Sequence, residues 1–589
     1  MSVIHNKTFS IIAEGIQQAL KAMGHADILT LESIANSLTE PPDKKMGHLA
    51  FPCFPLAKAL KSAPPKISAE LLSHLPQNPL VTKATPVGPY LNFFLDLQTL
   101  GKIEIEEILN GNYFKRKLIA GNQKTMVEYS QPNTHKELHV GHMRNLCLGN
   151  AVVRIARYAG VETTAVTYPG DVGTHVAKCL WYYKNHYKGQ IPTENKGAWL
   201  GTLYSKAHIM LEDQIGTDKE DSNRQQLTAI LKQLEQKSGE YYDLWKETRE
   251  WSIALMKSAY DWADVQFDRW FWESEMDSPS LEYAQELLAQ GKLVKDQGAV
   301  GMDLSDDGLG FCLLIKTDGT GLYATKDVLL AKRKFEEFGV DRSVYVVDNR
   351  QAHHFRQVFK VLEKLGFEKA SQCSHLQYDV VELPDGAMSS RKGNIVPLMD
   401  LIHQMEDSIK NNYLNKYLSS EENKWSQAEV DETAKMIANG AIKFGMIRID
   451  NNRKIVFDMN EWLKLDGETG PYLQYVHARI STMCKKQGFD QKQTVQWSSL
   501  KEGPENALMT KLYLFNNIVT SCAEQWKTIH LCSYLYDLGK LYNHFYAECS
   551  ISKAETEELK TARLALSYAT GEVIKKGLEI LGIKSPQKM

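Results

Sequence analysis

At 589 residues the chain is long enough for three or four domains of about 150 residues each. Hydrophobic residues at 43% and charged residues at 24% are an ordinary globular balance. A net charge of −3 excludes a uniformly basic nucleic-acid coat while leaving room for local basic surfaces. No apolar run reaches the roughly eighteen residues of a membrane span, and Lys7 and Glu14 interrupt any secretory core. The nine Cys are scattered without a C-x-x-C, against a zinc ribbon or a disulfide framework. The expected class is a soluble, cytoplasmic, multidomain enzyme.

Phe9, Ile12, Ile16, Leu20 and Met23 share one helical face. A Pro-containing stretch and the strand-like run from Tyr90 to Leu95 follow, so residues 1–115 read as a small α+β domain. The basic run Lys115, Arg116, Lys117 marks its end, as a solvated linker or as an RNA contact. A strand from Thr125 to Ser130, a turn at Gln131 to Asn133 and a helix through Arg144, Leu148, Val152 and Ile155 come next. With a second strand from Thr163 to Tyr168 they make a parallel β-α-β unit. Further strands are expected at 311–315 and 344–348, with a mostly helical insertion at about 185–285. The α/β domain is expected over 116–400, a helical linker region over 401–465, and an all-α bundle over 466–589.

The segment from Glu128 to Arg144 carries the chemistry. His135, His139 and His142 are four and three apart, which on a helix would align them as metal ligands. The H-E-x-x-H order is absent, however, and Lys136 between candidate ligands opposes a divalent cation. A second reading starts from the strand, turn and helix start, where unpaired N–H groups bind phosphate at the sheet's carboxyl edge. There Gly141 would let a flat base approach, His139 and His142 would donate to phosphate oxygens, and Lys136 would supply a point charge. No P-loop signature is present.

The run His139-Val140-Gly141-His142 resembles the HIGH signature of class I aminoacyl-tRNA synthetases. The longer Ser130-x-Pro132-Asn133-x-x-Lys136-x-x-His139-x-Gly141-His142-x-Arg144 resembles the arginyl-tRNA synthetase family. The second class I signature, KMSKS, is matched from Asp385 to Asn394, with Ala387 replacing its first Lys and Ser390 its second. Further likenesses run along the chain: Gly170 to Thr174, Glu273-Ser274, Gly321 to Asp327, Asp348 to Phe355, Gly470 to Arg479, and the segment ending at Met589. Gly47 to Ala50 and Gly88 to Phe93 resemble the family's extra N-terminal domain, which is implied to touch the tRNA elbow.

The resemblance implies a Rossmann-like catalytic core with a helical insertion, a small α+β N-terminal domain and an all-α anticodon-binding bundle. It implies a ligase that makes arginyl-AMP from L-arginine and ATP, with Mg²⁺ accompanying the nucleotide, and charges tRNA(Arg), first at the 2′-hydroxyl. It also implies that bound tRNA is needed for activation. The implied catalytic set is Lys136, His139, His142, Ser390, Arg391 and Lys392. ATP contacts add Gly141, His354, Met388 and Ser389, and Ser389, Ser390, Arg391 and Lys392 lie on a loop able to close over the triphosphate. Because Ala387 removes the usual loop Lys, Lys136, Arg391 and Lys392 all become candidates to stabilise the pyrophosphate.

Arginine contacts are implied at Glu128, Asn133, Tyr323, Asp327 and Gln351. A carboxylate accepts a bidentate guanidinium, which favours Asp327 for that group and leaves Glu128 for the α-ammonium. No protein-bound zinc and no membrane are expected, and the expected state is a monomer. A cysteine-specific synthetase is disfavoured by the missing Cys/His set and the additional N-terminal domain, and a silent tRNA-binding relative by the intact Lys136, His139, Gly141 and His142.

Overall fold

The computed structural model describes residues 4–384, 386–387, 397–420 and 424–589. The chain divides into two compact units, one of residues 122–157 and 161–464, the other of residues 1–121, 158–160 and 465–589.

The first of these is built on five parallel strands: β1 (Lys124–Glu128), β2 (Glu162–Thr167), β3 (Arg269–Trp270), β4 (Arg342–Asp348) and β5 (Cys373–Tyr378). Their spatial order is β5-β4-β1-β2-β3, every neighbouring pair parallel. Runs such as Met126-Val127 and Val344 to Val346 are buried, as expected of strands covered by helices on both faces. Read from the other edge this is the 3-2-1-4-5 order of a doubly wound sheet. Its switch point, where ligands bind beyond the carboxyl ends, falls between β1 and β4.

The helix Val140–Ala159 crosses from β1 to β2. It lies so close over the sheet that a Cβ on Gly149 would sit 2.2 Å from the Tyr129 ring. Four helices, Thr174–Asn185, Lys196–Asp213, Glu220–Glu235 and Glu240–Trp262, form the insertion. The chain re-enters the sheet at β3, inside the interval expected to be insertion. The expected strand at 311–315 exists, but as the edge of a separate antiparallel sheet of Val294–Asp296, Ala299–Leu304 and Gly310–Ile315. Apolar alternation identified a strand and could not say which sheet it joins. The helix Leu398–Ile409 runs across the expected boundary at 400/401.

In the second unit, strands Leu49–Pro52 and Val81–Val87 flank Tyr90–Leu95 in an antiparallel sheet. The amphipathic helix Lys7–Ala22 buries Phe9, Ile12, Ile16 and Leu20 against the same small domain. Residues 470–580 supply five long helices, the first capped by Thr469 Oγ1, which accepts from the N–H of Tyr472 at 3.1 Å. The two ends of the chain are stitched together here. Asn6 donates to the carbonyl of Tyr513, and Tyr113 Oη donates to the same carbonyl at 2.8 Å. Arg116, in the middle of the basic run, pairs with buried Glu104 at 2.7 Å and stacks on Tyr113. That cation serves an internal pair rather than a phosphate contact.

Candidate active site

A cavity of about 720 Å³ opens at the β1/β4 switch point. Its walls come from the segment after β1 (Glu128 to His142), the segment after β2 (Tyr168, Gly170), the helix Tyr323–Phe338, the segment after β4 (Asp348 to Phe355) and the strand Val381–Leu383. The loops after β1 and β2 are zipped together, with the N–H of Thr134 donating to Gly170 O at 2.8 Å and that of Gly170 to Pro132 O at 3.2 Å. A Cβ at Gly170 would lie 2.3 Å from Asn133 Oδ1 and 3.0 Å from Glu273 Oε2, so a larger residue there would have to displace the Asn133 side chain and press on Glu273.

The three histidines separate. The helix starts at Val140, so His135, His139 and His142 do not share a helical face. His135 has φ +58°, is fully buried, and bonds Thr134 Oγ1 at 2.9 Å and Thr248 Oγ1 at 2.8 Å. It fastens the insertion helix Glu240–Trp262 to this loop. Burial holds its pKa down at about 3.

His139 and His142 do line the cavity, their rings 4.0 Å apart. Each Nδ1 accepts a backbone N–H at 3.1 Å, that of His142 from His139 and that of His139 from Gly141. The proton of each neutral ring therefore sits on Nε2, available as a donor. Burial, reinforced by Arg350 and Lys136, lowers the pKa of His139 to about 4, and burial together with His139 holds His142 well below the usual range. Both are neutral donors near pH 7, beside the helix N-terminus.

A group of acidic side chains, Asp327, Glu273 and Glu128, lines the cavity around Tyr168. Asp327 lies one turn after Tyr323, so both face the cavity, and His354 Nε2 donates to Asp327 Oδ2 at 2.6 Å. Glu128 is buried, its Oε2 bonded to the fully buried Lys334 and its Oε1 accepting from Gln131 Nε2 at 3.3 Å. Glu273 forms a third acidic group, paired at 2.8 Å with Lys326, which also bonds Asp277. Burial pushes the Glu273 carboxyl up to about 7, against the pull of Lys326.

Glu128, Asn133, His139, Gly141, His142, Tyr323, Asp327, Gln351 and His354 thus meet in one cavity. Lys136 does not line it; its ammonium lies over the Tyr204 ring at 4.8 Å, although its charge reaches both His139 and His142. Met388, Ser389, Ser390, Arg391 and Lys392 fall outside the described residues. The flanks of that segment adjoin the site: Glu382 lines the cavity, and Pro397 bridges to His139. The sequence signatures give no role to Glu273, Tyr168 or Arg350, which also line the cavity. Only the sheet order, which sets β3 beside β2, reveals that Glu273 faces the cavity.

Three family models cover nearly the whole chain. They are the N-terminal domain of arginyl-tRNA synthetases (residues 10–95), the catalytic domain of class I (R) tRNA synthetases (104–459) and the DALR anticodon-binding domain (473–589). The arginine–tRNA ligase of Bdellovibrio bacteriovorus is 56% identical over 558 residues, 95% of each chain. The chain belongs to the arginyl-tRNA synthetase family. A second curated member, from Clostridium perfringens, is 33% identical across 98% of this chain and 99% of its own. Among solved structures, the Thermus thermophilus arginyl-tRNA synthetase superposes with a TM-score of 0.79 at 27% identity, covering 98% of this chain and 99% of that one. The expected architecture of parallel α/β core, small N-terminal domain and helical C-terminal bundle is that of the family. Among the described residues no group of three or more His, Cys, Asp or Glu could hold a metal ion, and no helix is long and apolar enough to cross a membrane.

Proposed function

We propose that the cavity at the β1/β4 switch point carries out the family's reaction, activating L-arginine with ATP and charging tRNA(Arg). One observation carries this reading: Asp327, Glu273 and Glu128 gather around Tyr168 in the same cavity that two neutral imidazoles line from a helix N-terminus. A cationic side chain needs the first group and a polyphosphate the second.

Activation is attack of an arginine carboxylate oxygen on the α-phosphorus of ATP. An O–P bond forms, and the bond to pyrophosphate breaks with its electron pair leaving on that group. A ribose hydroxyl of the tRNA then attacks the acyl carbon and AMP departs. Positioning and charge stabilisation supply most of the catalysis. Asp327, one oxygen held by His354, accepts from the guanidinium, and Glu273 supplies a second carboxylate. His354 is thereby assigned to the arginine group, in place of an ATP contact. Glu128, fixed by Lys334, remains the candidate for the α-ammonium, with Asn133 and Gln351 orienting the amino acid and Tyr323 flanking it. His139 and His142 donate from Nε2 to phosphate oxygens, and Gly141 leaves room for the nucleotide. ATP enters as its Mg²⁺ complex.

Lys136, Ser390, Arg391 and Lys392 are assigned to the leaving pyrophosphate on the sequence signatures alone, as are Met388 and Ser389 to ATP. The proposed domains are 1–115, a catalytic region from 116 and an anticodon-binding bundle over 466–589, with the linker helices from Leu398 grouped with the catalytic region. The match of the catalytic family model through residue 459 supports that grouping. A cytoplasmic monomer remains the sequence-based expectation.

The test is aminoacylation of total tRNA with each of the twenty labelled amino acids in the presence of ATP and Mg²⁺, with pyrophosphate release followed in parallel. Arginine alone should be attached. Charging by another amino acid, or tRNA binding without pyrophosphate release, would contradict the reading.

A further inference from the structure

Arg144 belongs to the upstream signature and has no role in the chemistry above. Its side chain is buried in the second turn of the helix that begins at Val140. The guanidinium is fixed by four main-chain carbonyls: Nη1 donates to Asp379 O at 2.5 Å and to Val380 O at 3.3 Å, Nη2 to Asn451 O at 3.2 Å and to Asp450 O at 3.4 Å. It also faces the Tyr378 ring at 5.7 Å. Among the described residues no carboxylate lies within salt-bridge distance of it. A buried cation hydrogen-bonded only by carbonyls, with Asp379 and Asp450 acting on it through their charge alone, is costly, so its place here calls for a reason. Burial lowers its pKa to about 10, which still leaves it charged at neutral pH.

The four carbonyls belong to two chain segments that enter one small sheet together. The N–H of Asp379 donates to Asn451 O at 2.8 Å, and strand Val381–Leu383 then pairs in parallel with Ile455–Val456. Val380, Val381 and Glu382 form one wall of the cavity; His139, Gly141 and His142, at the start of the Arg144 helix, form another. Arg144 spans the two. The rigid fork of a guanidinium can hold several carbonyls at fixed separation, which a lysine ammonium cannot do.

We propose that Arg144 is a positioning residue, a strut that sets the distance between the His139/His142 wall and the Val380–Glu382 wall and so aligns the triphosphate for attack. This rests on the reading of the cavity as the site of adenylate formation. Misplacing reacting groups by about 1 Å costs on the order of 10²-fold in rate. The acidic residues assigned to arginine, Asp327, Glu273 and Glu128, are not among its partners. Loss of the strut should therefore appear in kcat and spare the KM for arginine.

The experiment is arginine-dependent pyrophosphate exchange with tRNA present, for wild type, Arg144→Lys and His142→Ala. Rates are normalised to active sites counted by single-turnover adenylate formation. Arg144→Lys should lower the per-site kcat by about 10²-fold with arginine KM within threefold of wild type. A per-site kcat within threefold, even with a lower Tm or fewer active sites, would overturn the strut and leave Arg144 a residue of the fold. The His142→Ala arm separates the two readings: if it is silent, the site assignment itself fails, whereas a crippled His142→Ala beside a normal Arg144→Lys removes only the strut. Should Arg144→Lys not fold, Arg144→Gln, whose neutral amide brings no buried charge, carries the same measurement. Failure of both to fold would also overturn the proposal.

Discussion

Two of the carboxylate clusters among the described residues are drawn in from solvent to opposite ends. Glu104, in the unit that joins the two chain termini, is fully buried; it accepts from the N–H of Thr8 at 3.0 Å and from Arg116 at 2.7 Å. Tyr113, Asn516 and Tyr513 close the surrounding network. In the cavity of the other unit, Asp327 is held through one oxygen by His354, and Glu273 shares Lys326 with Asp277. Those acidic groups face about 720 Å³ of open space. A buried carboxylate with its partners complete fastens the fold, whereas one facing a cavity with capacity to spare is arranged for a ligand. Burial alone does not distinguish them; the completeness of the partner set does.

The comparison breaks first at its closed member. Glu104→Gln keeps the shape but deprives Arg116 of its shorter ion pair, and breaking a buried pair costs about 3 kcal/mol. The expected result is a lower denaturation midpoint with arginine and ATP kinetics per active site unchanged, read by denaturant titration beside pyrophosphate exchange. An equal fall in per-site kcat/KM would mean that the Glu104 network does more than hold the fold.

A smaller effect sharpens the open member. A carboxyl pushed up to about 7 must lose its proton to accept a guanidinium, so arginine kcat/KM should rise with pH to a plateau above about pH 7. Below that limb the value should fall about tenfold per pH unit. Glu273→Gln should lower the plateau and abolish this limb. Persistence of the limb in Glu273→Gln would assign the titration to another group.

Much of the open site was legible because its pieces are local in sequence. The turn after β1, His139, Gly141 and His142 fall within one short segment whose spacing alone suggests a phosphate-binding helix start. Tyr323 and Asp327, one helical turn apart, are legible as site residues only through the family resemblance. Glu273 was not legible as a cavity residue, because it follows a strand of two residues, Arg269–Trp270, too short to leave a periodic signal. The metal reading of His135 fails for a related reason: spacing gives neighbours on a helix only where a helix exists, and this one begins at Val140. Likewise, Arg116 looked like part of a basic surface until its partner, twelve residues upstream, was seen to fold back onto it. Partner sets assembled from distant segments are what a single sequence conceals.

The most direct test of the central claim concerns Asp327. Asp327→Asn preserves size and leaves a hydrogen-bonding group near His354, but removes the charge that the guanidinium fork needs. Losing one partner of a desolvated charged pair costs about 2–5 kcal/mol, which is about 30-fold or more in rate. The measurement is arginine kcat/KM in pyrophosphate exchange with tRNA present, alongside the KM for ATP. The account predicts a fall of that size in arginine use with ATP KM almost unchanged. Arginine use within about threefold of wild type, far below that loss, would show that Asp327 does not read the guanidinium.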